Sequence, residues 1–357
     1  MNDVRSAPQR LHYIDALKAI ASQLIVLHHL AFYGPMSDYA QTLSPGLFSW
    51  LSQYARIAVQ AFLAMGGFLA ALALARDGRL TDKPLGRLIW QRYLKLAMPY
   101  GVALVLAIAG AAFARALITH ASIPAAPSVA QVVAHLFLLH GVLGFDGLSA
   151  GVWYVAIDFQ LYTSLLIVLW LARRFSPAAT ANTGLVCVIA LIAISLYHFN
   201  RNPAWDNWAI YFFGAYGLGA IAYWGTRRNH VAWWAIATAI LAGGALVVDY
   251  RSRILVALIV ALMLGLSRGL GFIATWPQTR LLGWLGQISY AVFLVHFPVC
   301  LAVNALFERF FPHTPGIQLA GILIAWSGSI GCGAVLYRHV ESRGTRWLKR
   351  RSARINA

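Results

Sequence analysis

Charge is what this sequence has least of. Only 11% of its 357 residues are Asp, Glu, Lys or Arg, against about 25% in an ordinary soluble domain. A chain so poor in charge lacks the polar residues to cover a water-facing surface of ordinary size. Acid is scarcer still, with 11 Asp and Glu against 28 Lys and Arg, a net charge of +17. Cysteine is rare as well: Cys187, Cys300 and Cys332 are scattered through apolar runs at no metal-ligand spacing. Three scattered cysteines give no ground for a structural disulfide, and they read as small buried side chains. No nucleophile-elbow serine motif, His-rich metal spacing, convincing internal repeat or linker interrupts the chain. No signal peptide is evident, because the N-terminus begins polar and its first apolar run is long and lacks a small-residue cleavage site.

What the chain has is hydrophobic length, with 60% of residues apolar. Runs of near-membrane length fall at about 14–33, 47–74, 88–116, 153–172, 183–199, 207–225, 231–248, 254–267, 281–307 and 317–337. They predict an all-α, polytopic transmembrane bundle of about ten spans, one domain over 1–357. The basic charge follows that threading. With the N-terminus inside, 21 of the 28 Lys and Arg fall in cytoplasmic segments, the bias that orients membrane proteins. Both termini are then cytoplasmic, with tails at about 1–12 and 339–357. The excess of base is thus an orientation signal, which removes the main argument for a nucleic-acid partner. The outer segment 117–152 carries VAQVVAHLFLLHGVLGF, too short for a span and expected as a re-entrant or interfacial helix.

Ionisable residues inside spans are costly and are functional candidates by default. The first run, IDALKAIASQLIVLHHL, holds Asp15, Lys18, His28 and His29. Lys18 and His29 are eleven positions apart, so they share a helix face about 16 Å apart along the axis. His28 points about 100° away from His29. The fourth run opens with GVWYVAIDFQLY, placing Asp158 one to two turns below Trp153 at a depth similar to that of His29. A carboxylate there is suited to orient an imidazole acting as a general base. A third constellation, LGQISYAVFLVHFPV, sets Ser289, Tyr290 and His296 in an apolar helix that Pro298 should kink. The alternative for each is structural: Lys18 snorkels, and the histidines satisfy neighbouring helices.

These residues carry a family resemblance. Asp15-Ala-Leu-Lys18-Ala-Ile-Ala followed by His29 resembles the D-G-L-R-G-x-A opening and outer His of the acyltransferase 3 family, integral-membrane acyltransferases that include O-antigen acetylases. Phe62 to Leu69, containing Gly67 and Phe68, resembles its F-F-x-x-S-G-F-L. Arg92-Tyr-Leu-Lys95-Leu-Ala-Met-Pro99 resembles its basic helix ending in Pro. Trp153 through Asp158 to Tyr162 resembles W-x-x-x-x-E-x-x-F-Y, and Gly286 to Pro298 resembles G-x-I-S-Y-x-x-Y-L-x-H-x-P. Glu341 stands at the family's closing Glu. The resemblance runs from Leu11 to about Glu341, and its departures are conservative: Lys18 for Arg, Asp158 for Glu, Gly66 for Ser.

The resemblance implies transfer of an acyl group, acetyl above all, from cytoplasmic acyl-CoA as co-substrate to a hydroxyl of an envelope sugar or lipid-linked glycan. It implies His29 as the base with Asp158 beside it, and donor phosphates at Lys18, Arg92 and Lys95. Oxyanion or substrate candidates are Arg56, Gln160, Tyr162, Tyr290 and His296. The site as expected uses no metal and no permanently bound cofactor, and the chain sits in a bacterial inner membrane. Two alternatives stay open: acylation of a small molecule such as an antibiotic sugar, and a proton-coupled transporter built on the same ionisable residues.

Overall fold

A computed structural model describes residues 10–76, 78–175, 180–226 and 231–355 of the chain. Arg5, Arg227 and Arg228, which contribute to the expected orientation, lie outside the described residues, as does most of the N-terminal tail. All regular structure among the described residues is helical. The first half comprises α1 His12–Phe32, α2 Met36–Ala40, α3 Pro45–Tyr54, α4 Val59–Leu74, α5 Leu85–Leu117, α6 Val129–Leu136 and α7 Val152–Phe175. The second comprises α8 Thr180–Tyr197, α9 Ala209–Gly225, α10 Val231–Val248, α11 Ser252–Gly269, α12 Arg280–Phe310, α13 Pro315–Leu336 and α14 Ser342–Ile355.

Nine helical stretches among the described residues are long and apolar enough to cross a membrane, and the protein is a multi-pass integral membrane protein. The tenth expected run becomes α9, which has 17 residues and lies in the centre, buried at every position from Tyr211 to Tyr223. Small residues let its neighbours approach closely. A Cβ at Gly67 would strike the Tyr216 carbonyl oxygen, and one at Gly219 would strike that of Ala64. Gly67 is thus a packing residue of the α4–α9 crossing, and Phe68 beside it is buried edge-on to Tyr223 at 5.3 Å. Helices α8 and α10 form the rim, where apolar side chains such as Val186, Ile240 and Val247 face outward as a lipid-exposed surface requires. Cys187 and Cys332 are also exposed, on α8 and α13, so only Cys300 is the buried side chain expected of all three.

Helix directions fix how many crossings separate the two helices that frame the site. Near its start α1 meets α12 where Gly286 lies against the Asp15 backbone, too close for a Cβ. Asp15 accepts a 2.6 Å bond from Arg10, whose guanidinium also donates to the Gly283 carbonyl at 2.5 Å. Just past the far end of α1, Asn304 accepts from the Met36 N–H at 2.9 Å and donates to the Tyr33 carbonyl at 3.3 Å. Contacts that advance together along both chains mean that α1 and α12 run parallel. Counting α9 as a crossing makes α12 the ninth span and gives it that direction.

Two connections differ from their expected form. In the 117–152 segment the helix is confined to the eight residues of α6, with Ser128 capping Gln131 N at 3.1 Å. The expected C-terminal tail is helical: after a π turn at Tyr337–Glu341 the chain continues as α14 to Ile355.

Candidate active site

The parallel packing of α1 on α12 brings two candidate histidines together. His29 Nδ1 lies 2.7 Å from His296 Nε2, with the rings nearly parallel and their centroids 4.8 Å apart. Backbone geometry assigns the protons. The other nitrogen of His296, Nδ1, is 2.7 Å from the Phe293 carbonyl, which can only accept. His296 therefore carries its proton on Nδ1 and, as a neutral ring, accepts at Nε2. His29 must donate from Nδ1, which leaves the lone pair of the ring on Nε2. His29 borders a cavity of about 900 Å³ shared with Arg56, Trp153, Tyr33, Arg251 and Arg253. His28 lines the same cavity, contrary to the expectation that it points elsewhere, but its Nδ1 is engaged, donating to the Leu51 carbonyl at 3.0 Å.

Asp158 is elsewhere. The expected pair with His29 is not formed; Asp158, 5% exposed, is instead bonded to the Arg92 guanidinium. The reason is the third span. Arg92, expected at a membrane surface with Lys95, lies on α5 with its side chain turned into the bundle, its guanidinium 5.0 Å from the Tyr162 ring centre. A buried guanidinium needs a counter-charge, and Asp158 on α7 is the carboxylate within reach. Lys18 from α1 joins this cluster, with Asp15, Glu341, Arg92 and Asp158 as its electrostatic neighbours. Lys95 faces Arg92, Lys18, Glu341 and Asp158. Arg92, Lys95 and Lys18 thus stand against Asp158 and Glu341, while Asp15 is occupied by Arg10. The cluster keeps an excess of positive charge suited to an anionic ligand.

The remaining expected residues divide between these places and structural duty. Arg56 lines the His29 cavity. Gln160 does not; it lines a smaller hollow that also borders Trp153, with His140 and Asn207. Tyr162 lies beneath Arg92, and Tyr290 donates to the Leu96 carbonyl at 3.1 Å, so both belong to the charged cluster and not to the His29 cavity. Ser289 returns a bond to the Gly286 carbonyl at 2.9 Å, and Pro298 packs against Gly110 of α5. Glu341 ends the π turn and reaches its lysines from there.

Sequence reasoning ranked His296 with the substrate contacts and missed it as the partner of His29. The only available signal was that both lie late in apolar helices; their contact depends on the relative direction of two helices far apart in sequence. Gly66 also acquires meaning: a Cβ there would stand 3.2 Å from Asp158 Oδ1 and 3.0 Å from the Tyr216 ring. The two departures at 66 and 158 are therefore neighbours.

In comparison with known proteins, the profile of the acyltransferase 3 family, described as an acyltransferase domain, matches residues 11–337. The chain belongs to that family and is a membrane-bound acyltransferase, which sets aside the transporter alternative. No curated protein and no solved structure matches the chain.

Proposed function

We propose that the protein transfers an acyl group, acetyl in the first instance, from cytoplasmic acyl-CoA to a hydroxyl of an envelope sugar or lipid-linked glycan in a bacterial inner membrane. The observation that carries this reading is the free Nε2 of His29, held on a cavity at one end of α1 while the cationic cluster of Lys18 lies at the other. Phosphates of the donor engage Lys18, Lys95 and the unpaired Nε–H of Arg92. The pantetheine arm runs along α1, since the roughly 16 Å between Lys18 and His29 is of the order of its length.

His29 Nε2 takes the proton of the acceptor hydroxyl as its oxygen attacks the thioester carbonyl. The new C–O bond forms, the carbonyl electron pair moves to oxygen, and Arg56 is the cation placed to meet that oxyanion. Collapse breaks the C–S bond and expels the CoA thiolate, which recovers the proton from His29. Through this cycle His296 fixes the tautomer and ring plane of His29. Asp158 contributes indirectly, by neutralising and aiming Arg92. This role replaces the expected one beside the imidazole.

The test is free-thiol release from acetyl-CoA by purified protein in detergent, with and without envelope glycolipid extract, in wild type and His29→Ala. Release that requires His29 and rises with extract supports the reading. Release with longer acyl donors alone keeps the reaction and changes the donor. No release from any donor by folded protein overturns it.

A further inference from the structure

Three hollows meet at Trp153. One holds His29. The other two, about 280 and 640 Å³, also border the indole and share His140, Gly141 and Asn207 in their walls. His140 follows α6 in the segment between α5 and α7 and is 2% exposed. Its ring is stacked on His135 with centroids 4.0 Å apart and planes 9° from parallel. His135 is fully engaged, donating from Nδ1 to the Gln131 carbonyl at 2.8 Å and accepting the Leu148 N–H at Nε2 at 3.1 Å. His140 is the opposite: neither ring nitrogen has a hydrogen-bonding partner among the described residues. A buried imidazole with both nitrogens unpaired is a standing cost that an entering polar group relieves.

The lining says which polar group. Neither hollow contains a Lys or Arg among its described residues, and each has a carboxylate, Asp206 in the smaller and Asp146 in the larger. The cavity of His29 shares Asp206 with the smaller hollow but adds three cations, Arg56, Arg251 and Arg253. Anions belong on that side and uncharged groups on this one. Burial and the neighbouring His135 push His140 down to about 4, so at neutral pH it offers one N–H and one lone pair. Asn207 and Gln160 also offer a donor and an acceptor each, which is what a hydroxyl requires. Trp153 supplies a flat apolar face with a polar edge.

We propose that these hollows are the acceptor subsite, which takes an uncharged pyranose ring against Trp153, with its hydroxyls bonded to His140 and Asn207 and a further hydroxyl presented to the cavity of His29. Both His140 nitrogens are closed to solvent, so binding turns the imidazole toward a hollow. The inference rests on the reading of the acceptor as a sugar and specifies where the ring lies and that it is uncharged there.

The experiment is saturation-transfer-difference NMR on the full-length protein in lipid nanodiscs. The probes are methyl pyranosides of glucose, galactose, mannose, rhamnose and N-acetylglucosamine, with methyl glucuronide as the charged control. Wild type should saturate at least one neutral glycoside. His140→Phe keeps the stack on His135 and should weaken that binding about tenfold, as should Asn207→Ala, the loss of one good hydrogen bond. Binding without thiol release by the wild type would keep this subsite and reject the acyl-transfer chemistry. Thiol release without binding of any neutral glycoside would reject the subsite alone. Equal binding by wild type and both folded variants, or preference for the glucuronide, would also overturn it.

Discussion

At one end of α1, Lys18 joins Arg92, Lys95, Asp158 and Glu341 in a cluster where charge answers charge. At the other, His29 is held by His296 and, through it, by the Phe293 carbonyl, and neither ring is bonded to a carboxylate. The first arrangement suits a ligand that brings fixed charge and keeps it. The second suits a proton that leaves and returns. A carboxylate beside His29 would hold the imidazolium once formed and slow the return of the proton to the leaving thiolate. A neutral imidazole partner orients the ring while leaving the proton mobile. The difference teaches that an acid beside a base in sequence-derived depth need not be its partner when a buried guanidinium has a stronger claim.

The comparison can be broken most directly at His29. His29→Ala should lower acyl transfer by roughly 10²- to 10⁴-fold, the range of a general base, with little change in the thermal unfolding midpoint. A midpoint that collapses would make His29 a packing residue. Asp158→Asn leaves the Arg92 guanidinium without its counter-charge and should cost about 3–5 kcal/mol of stability, read as a lowered midpoint in detergent. Adding Arg92→Leu to that variant should recover most of the loss. If activity falls instead while the midpoint holds, Asp158 acts on the chemistry and the two ends are not distinct in the way described.

Smaller effects sharpen the contrast. His296→Ala should lower kcat by up to about 100-fold through misorientation of His29, with the donor KM unchanged. His296→Gln, which can still accept from His29 Nδ1–H, should restore part of the rate. Equal losses in the two variants would argue that His296 does more than accept a bond. The smallest effect concerns His140, another imidazole kept uncharged. Its folded value of about 4 lies below the ordinary 6.5, so the unfolded chain takes up the proton first. Stability should therefore be level above pH 6.5 and fall as the pH drops toward about 4. His140→Phe should flatten that slope in midpoints measured from pH 7 to 5; an unchanged slope would place the titration elsewhere.

Much of the architecture was legible in the one-dimensional pattern because lipid imposes a strong rule: each span must satisfy its own backbone over about 20 apolar residues. The runs gave helices at the expected places, and α9 took the tenth at 17 residues because its length lies wholly inside the bundle. The segment of α6 was less legible. Its run from Val129 is mostly apolar, with Gln131, His135 and His140 the exceptions, and the turn beyond Leu136 divides it. His140 left almost no trace in sequence, since a histidine five positions after another has no fixed geometry outside a helix.

The sequence by itself determined that this protein lives in a membrane, that its apolar runs of near-membrane length number about ten, and that ionisable residues sit where they are expensive. Hydrophobic length and charge are local properties, and a single pass along the chain reads them. Only the tertiary structure decided who meets whom. His29 finds His296 because Gly286 and Asn304 set α1 and α12 parallel and in register. Asp158 is drawn to Arg92 because α5 carries a guanidinium into the bundle and burial gives it first claim on the nearest carboxylate.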